Sequence, residues 1–157
     1  MRINLLCMGK TADRTIASLI EYYQNRLPKF WNFQITELND VRNVKNLSPE
    51  QLKSEEAKLF LNLLDPRDYI ILLDENGAQY TSRQFSGKIE RWMGDSVRNI
   101  VFIIGGAYGF SDEMYARANE KISLSSMTFT HQMIRLFFVE QLYRADQILN
   151  GKPYHND

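Results

Sequence analysis

Two runs constrain the fold more than anything else in the chain: Tyr69-Ile70-Ile71-Leu72-Leu73 and Asn99-Ile100-Val101-Phe102-Ile103-Ile104. Each is apolar without the alternation of a half-solvated strand, so each reads as a strand buried on both faces. Each also stops abruptly, the first at Asp74-Glu75-Asn76-Gly77 and the second at Gly105-Gly106-Ala107-Tyr108-Gly109. Strand-like runs alternate with helical patterns along the chain, the signature of an α/β domain.

The pattern predicts further strands over about Arg2 to Met8, Phe33 to Leu38 and Lys121 to Leu124, and helices over about Asp13 to Leu27, Ser82 to Met93 and Thr130 to Leu149. Pro28 is expected to stop the first helix. Ser48-Pro49-Glu50-Gln51 is a capping box with proline at the first helical position, and Thr81 to Gln84 repeats the pattern. Asn76-Gly77 reads as the turn that ends the third strand, and Ser111 as the cap of a short helix.

Composition bounds the function. With 157 residues, 44% of them hydrophobic, residues 1–157 are expected to form a single domain with a real core. Lys and Arg total 19, as do Asp and Glu, so no global field draws the protein onto nucleic acid, although a local basic patch stays open. Cys7, the only cysteine, sits in an apolar strand and reads as a small buried hydrophobe rather than a reactive thiol. No leader-like or membrane-spanning stretch stands out, so a cytoplasmic protein is expected.

Three strand ends carry the loops of interest: Leu73-Asp74, Gly105 to Gly109, and Leu124 to Phe129. In open α/β sheets ligands bind beyond the carboxyl ends of strands. Taken alone, the glycine loop reads as a tight turn rather than a ligand loop, since it has no Walker lysine and lacks the dinucleotide spacing. Ser123, Ser125, Ser126 and Thr128 likewise fit a plain polar connection capping the last helix.

Together, Leu73-Asp74, Phe102 to Gly109, Ser123-Leu124-Ser125-Ser126-Met127-Thr128, His131, Arg135, Glu140-Gln141-Leu142-Tyr143-Arg144-Ala145 and Pro153-Tyr154-His155 resemble the RlmH family of ribosomal large-subunit pseudouridine N3-methyltransferases, within the SPOUT superfamily. The resemblance runs the whole length and is most specific from Leu73 onward. It implies an open, mainly parallel sheet flanked by helices, a C-terminal trefoil knot, and a homodimer. It implies S-adenosyl-L-methionine as methyl donor, without a metal, and large-subunit rRNA in the ribosome as substrate. The target the resemblance implies is N3 of a pseudouridine in the helix 69 loop of 23S rRNA.

Residue by residue, the resemblance assigns cofactor binding to Leu73, Gly105, Leu124, Ser125, Ser126, Met127, Thr128 and Phe129. The apolar members would supply walls, and Gly105 would allow close backbone approach. His155 is the expected general base and Tyr154 its stacking or hydrogen-bonding partner. Arg135 is expected at RNA phosphate or the cofactor carboxylate, with a structural ion pair as the alternative. His131 reads as a helix cap or packing residue, and Glu140 with Arg144 as an i, i+4 ion pair. The family usually has arginine after the tail histidine; here it is Asn156. Lys10, Arg14, Arg135, Arg144 and Lys152 are candidates for a basic patch shared across a two-fold axis. The competing readings are a non-catalytic ribosome-binding or assembly factor on the same fold, and a nucleotide or phosphate binder using Gly105 to Gly109.

Overall fold

The central strand shows how the sequence builds the architecture. Along Asn99–Ile104, Ile100, Phe102 and Ile104 enter one apolar cluster while Val101 and Ile103 enter another, so a single strand feeds two cores on opposite faces. The computed structural model, which describes residues 1–157, contains β1 (Arg2–Met8), α1 (Arg14–Gln24), β2 (Gln34–Leu38), α2 (Pro49–Leu61), β3 (Tyr69–Gln79), α3 (Ser82–Gly94), β4 (Asn99–Ile104), α4 (Asp112–Arg117), β5 (Glu120–Ser123) and α5 (His131–Leu149). The five strands form one sheet in the order β2-β1-β4-β3-β5, and every pair is parallel. Helices α1, α3 and α5 cover one face through Ile20, Phe85, Ile89, Phe138 and Leu142. Helices α2 and α4 cover the other through Ala57, Phe60 and Met114.

Both expected capping boxes form. Ser48 accepts from the Gln51 N–H at 3.2 Å while the Gln51 side chain accepts from the Ser48 N–H, and Thr81 with Gln84 does the same. The first helix is shorter than its pattern: it ends at Gln24 with Asn25 as cap, not at Leu27. Proline forces the residue before it out of the helical region, and the chain turns early enough to bury Leu27 and Trp31 in the core.

The third strand corrects the sequence reading outright. Asn76-Gly77 is no turn; β3 runs on to Gln79 and neither residue has positive φ. Leu73 and Ala78 both pair with Ile122 of β5, so Asp74 to Gly77 form a bulge between two paired stretches. A Cβ at Gly77 would lie 2.6 Å from the Ile122 backbone nitrogen and carbonyl carbon. Glycine is required here by the close approach of a neighbouring strand.

Candidate active site

Because β4, β3 and β5 are adjacent and parallel, their carboxyl ends open onto one edge of the sheet, and their three loops enclose a cleft of about 340 Å³. Leu73, Gly105, Leu124, Ser125, Met127, Thr128 and Phe129 all line it, although they come from three separate segments. Ser126 is the one expected cofactor residue outside the lining; it is exposed. That loop is shaped by its own hydroxyls. Ser123 Oγ donates to the Ser125 carbonyl at 2.9 Å, and Ser125 Oγ accepts from the Met127 N–H at 2.9 Å.

The cleft has apolar walls and a polar floor. Met127 is 74% exposed and Tyr108 58%, large apolar groups standing in solvent on opposite loops of one opening. Such a rim is a binding surface more often than an accident. On the floor, buried Asp74 accepts from Tyr115 Oη and, at 2.7 Å, from the Asn76 N–H. Burial, then the Asp74 bond and charge, push the Tyr115 hydroxyl well above the usual phenol range, so it stays a donor. In the glycine loop, Gly109 takes positive φ (79°) and Gly106 bridges to it. His131, at the start of α5, also lines the cleft. Desolvation first, and the neighbouring Arg135 charge second, push its pKa down, while a hydrogen bond to the Gly105 backbone opposes them.

Arg135 stands behind the cleft rather than in it. At 2% exposure it has no face open to a phosphate. It donates from Nη2 to the Met8 carbonyl at 2.7 Å and from Nη1 to Thr11 Oγ1 at 2.9 Å, with Glu37 at 3.5 Å. Of the basic candidates, Lys10, Arg14 and Lys152 remain exposed, and Arg144 is partly buried.

The tail is packed against the far part of α5. Tyr154 Oη donates to Glu140 at 3.0 Å, and Arg144 donates to His155 Nδ1 at 3.1 Å. Arginine only donates, so Nδ1 is an acceptor and the ring proton sits on Nε2, facing Asp157 Oδ1 at 3.1 Å. Asp157 is itself anchored by Arg83 at 2.6 Å. Glu140 and Arg144 form the expected i, i+4 pair. Neither Tyr154 nor His155 lines the cleft of its own chain.

Two cleft-side residues escaped the sequence reading. Tyr115 carries no local signal at all. Glu56 sits in Glu55-Glu56-Ala57-Lys58, which looks like a solvated helix face, yet it is 6% exposed and its carboxylate abuts Gly106. Its one legible signal is the every-fourth spacing Leu52, Glu56, Phe60, which puts it on a buried stripe.

Comparison with known proteins agrees with this arrangement. A family model described as "Predicted SPOUT methyltransferase" matches residues 1–155. A ribosomal RNA large subunit methyltransferase H of Parabacteroides distasonis is 49% identical over 157 residues, covering 100% of both chains. Proteins of the same name from Christiangramia forsetii and Flavobacterium psychrophilum are each 47% identical over 156 residues, covering 99% of both chains. From its parallel sheet, its loop-built cleft and these full-length matches, the chain belongs to the SPOUT methyltransferase family and, as the sequence resemblance implied, to its RlmH branch.

Proposed function

We propose that this protein, a single methyltransferase domain over residues 1–157, moves a methyl group from S-adenosyl-L-methionine to N3 of a pseudouridine in the helix 69 loop of 23S rRNA. The observation that carries the reading is the convergence of seven expected cofactor residues, from three distant segments, on one cleft. Its walls suit the group: Leu73, Leu124, Met127 and Phe129 offer apolar surface for a purine, and the Gly105 and Ser125 loops offer backbone donors and acceptors. The methyl donor, when bound there, supplies an electrophilic methyl on sulfonium. The loops hold the reacting partners in line and exclude water, an alignment effect worth up to about 7–11 kcal/mol in well-oriented cases.

N3 of pseudouridine carries a proton at neutral pH, and His155 is the base proposed to remove it. Its Nδ1 lone pair is the acceptor site, free once Arg144 moves aside. Tyr154 does not compete as the base: burial, then hydrogen bonds with Tyr23 and Glu140, hold its hydroxyl proton firmly, leaving it to stack or donate. The packing of both residues away from their own cleft favours a homodimer in which one subunit's tail serves the other's cofactor site. The exposed Lys10, Arg14 and Lys152 are proposed to meet rRNA phosphates, and Arg135 to hold the site from behind. The trefoil knot belongs to the same reading, as does action on ribosomes in the cytoplasm; no helix is long and apolar enough to cross a membrane.

The test is methyl transfer from labelled S-adenosylmethionine to ribosomes lacking the modification, with mass mapping of the RNA digest. A methylpseudouridine in the helix 69 loop is the expected result. Cofactor binding without transfer to any rRNA would favour a non-catalytic ribosome-binding factor.

A further inference from the structure

One buried acid has no part in the chemistry above. Glu56 projects from α2 toward the glycine loop, and it enters no ion pair. The charge that acts on it is Asp40, of the same sign; burial first and that charge after it push the Glu56 pKa up, opposed by the Gly106 backbone N–H. A carboxylate kept under cover without a cation is a cost to the fold, so its position calls for a reason beyond packing.

The reason lies in a single peptide group. Glu56 occupies the space where a side chain on Gly106 would begin: a Cβ there would lie 2.6 Å from Oε2 and closer still to Oε1. The carboxylate lies against the Gly106 backbone, on the side where its N–H can meet it, while His131 of α5 lines the cleft beside Gly105. That N–H and the Gly105 carbonyl are the two ends of one trans peptide, which points them in opposite directions. The peptide is therefore flanked by Glu56 of α2 and His131 of α5, where Gly105 and Gly106 form a wall of the cleft. Turning it over would set carbonyl against carboxylate. A side chain at 106 would have to push the Glu56 carboxylate out of its place.

We infer that Glu56 is a positioning residue for the methyl-donor site, fixing the Gly105–Gly106 peptide so that the loop presents one constant face to the cofactor. The inference rests on the cofactor reading above, and the experiment separates the two. S-adenosylmethionine binding is measured by calorimetry, and KM and kcat by methyl transfer, for the wild type and for Glu56→Ala, Glu56→Asp and Glu56→Gln, with thermal unfolding as the check on folding. Glutamine keeps an acceptor for the Gly106 N–H; aspartate keeps the charge but draws it back by one methylene. Loss of the hydrogen bond is expected to weaken cofactor affinity about tenfold or more in Glu56→Ala and Glu56→Asp, with kcat at saturating cofactor little changed, and Glu56→Gln near wild type. Should Glu56→Ala fail to fold, Glu56→Asp against Glu56→Gln decides. Wild-type cofactor affinity in a folded Glu56→Asp overturns the inference alone. No binding by the wild type overturns the cofactor reading and the inference with it.

Discussion

Arg135 donates from Nη2 to the carbonyl of Met8, the last residue of β1, across a gap of 2.7 Å, and so ties the second turn of α5 to the end of a central strand. A second bond to Thr11 extends the tie to the loop after β1. Arg135→Ala takes the donor from the Met8 carbonyl and from Thr11 Oγ1 and removes the cation beside Glu37, which keeps its bonds from Thr11. It is expected to lower unfolding stability by about 2–4 kcal/mol, read from urea midpoints at constant m-value. Full stability with rRNA methylation abolished would instead place Arg135 in direct contact with substrate.

The tail is expected to divide turnover from cofactor binding. His155→Ala should reduce methyl transfer by roughly 10²- to 10⁴-fold, the usual range for a lost general base, while S-adenosylmethionine affinity stays at the wild-type value. Tyr154→Phe removes only the hydroxyl, with its bonds to Glu140 and Tyr23, and should cost far less. Unchanged turnover in His155→Ala removes it from the chemistry.

Glu56 makes stability depend on pH in an unusual direction. Its folded pKa is raised above the ordinary 4.5, so between those two values the native state binds more protons than the unfolded one. Its contribution is therefore fully present below 4.5 and is lost as pH rises through the folded pKa. Glu56→Gln abolishes this titration, so its stability relative to wild type should climb from pH 4 upward and then level off. A constant difference across that window would contradict the shift. His131 works the other way: its folded pKa lies below 6.5, so its contribution is present above 6.5 and falls away in acid.

Cys7 should be inert in the folded protein. Burial, partly opposed by the Arg135 charge, raises its pKa to about 12. At pH 8 only about one thiol in ten thousand is then thiolate, and it is also out of reach of reagent. Labelling with a thiol reagent is expected only at the rate of unfolding, and at once in 6 M guanidinium on the order of complete denaturation.

Gly77→Ala should loosen the pairing of β3 with β5, because the added methyl meets the Ile122 backbone at 2.6 Å. A loss of roughly 1–3 kcal/mol is expected from such overpacking, measured by chemical denaturation. Cofactor affinity should fall with it, since Leu73 and Leu124 flank the strained junction.

What could be read from the sequence follows from how local each cause is. The strand at Asn99 to Ile104 was legible because burial on both faces removes alternation, a property of the run itself. The capping boxes at Ser48 and Thr81 were legible for the same reason. Gly77 was misread because its neighbour Asn76 makes a familiar turn pair, while the actual demand for glycine comes from Ile122, far along the chain. Leu27 was drawn into a helix by its spacing, although proline and the burial of Trp31 bend the chain away before it.

The cleft was legible only as a resemblance. Leucine, serine and glycine have no chemistry that announces a ligand, and it is the adjacency of three strand ends that gives them one. Glu56 was hidden by its charged neighbours, since the partner that explains it is a backbone N–H fifty residues later. Arg135 stayed ambiguous between ligand contact and structural tie because only the position of Met8 and Thr11 decides it.

Helix α5 is unbroken from His131 to Leu149 and carries the cleft at one end and the tail's anchor, Arg144, further along. At 1.5 Å per residue the thirteen steps between His131 and Arg144 amount to about 20 Å, with a fixed rotation of about 100° per residue. The helix is thus a ruler. Inserting a single residue between these positions would lengthen it little but would swing Arg144, Tyr154 and His155 to another side of the molecule, so the number of residues between loop and tail is as much a part of this enzyme's design as their identity.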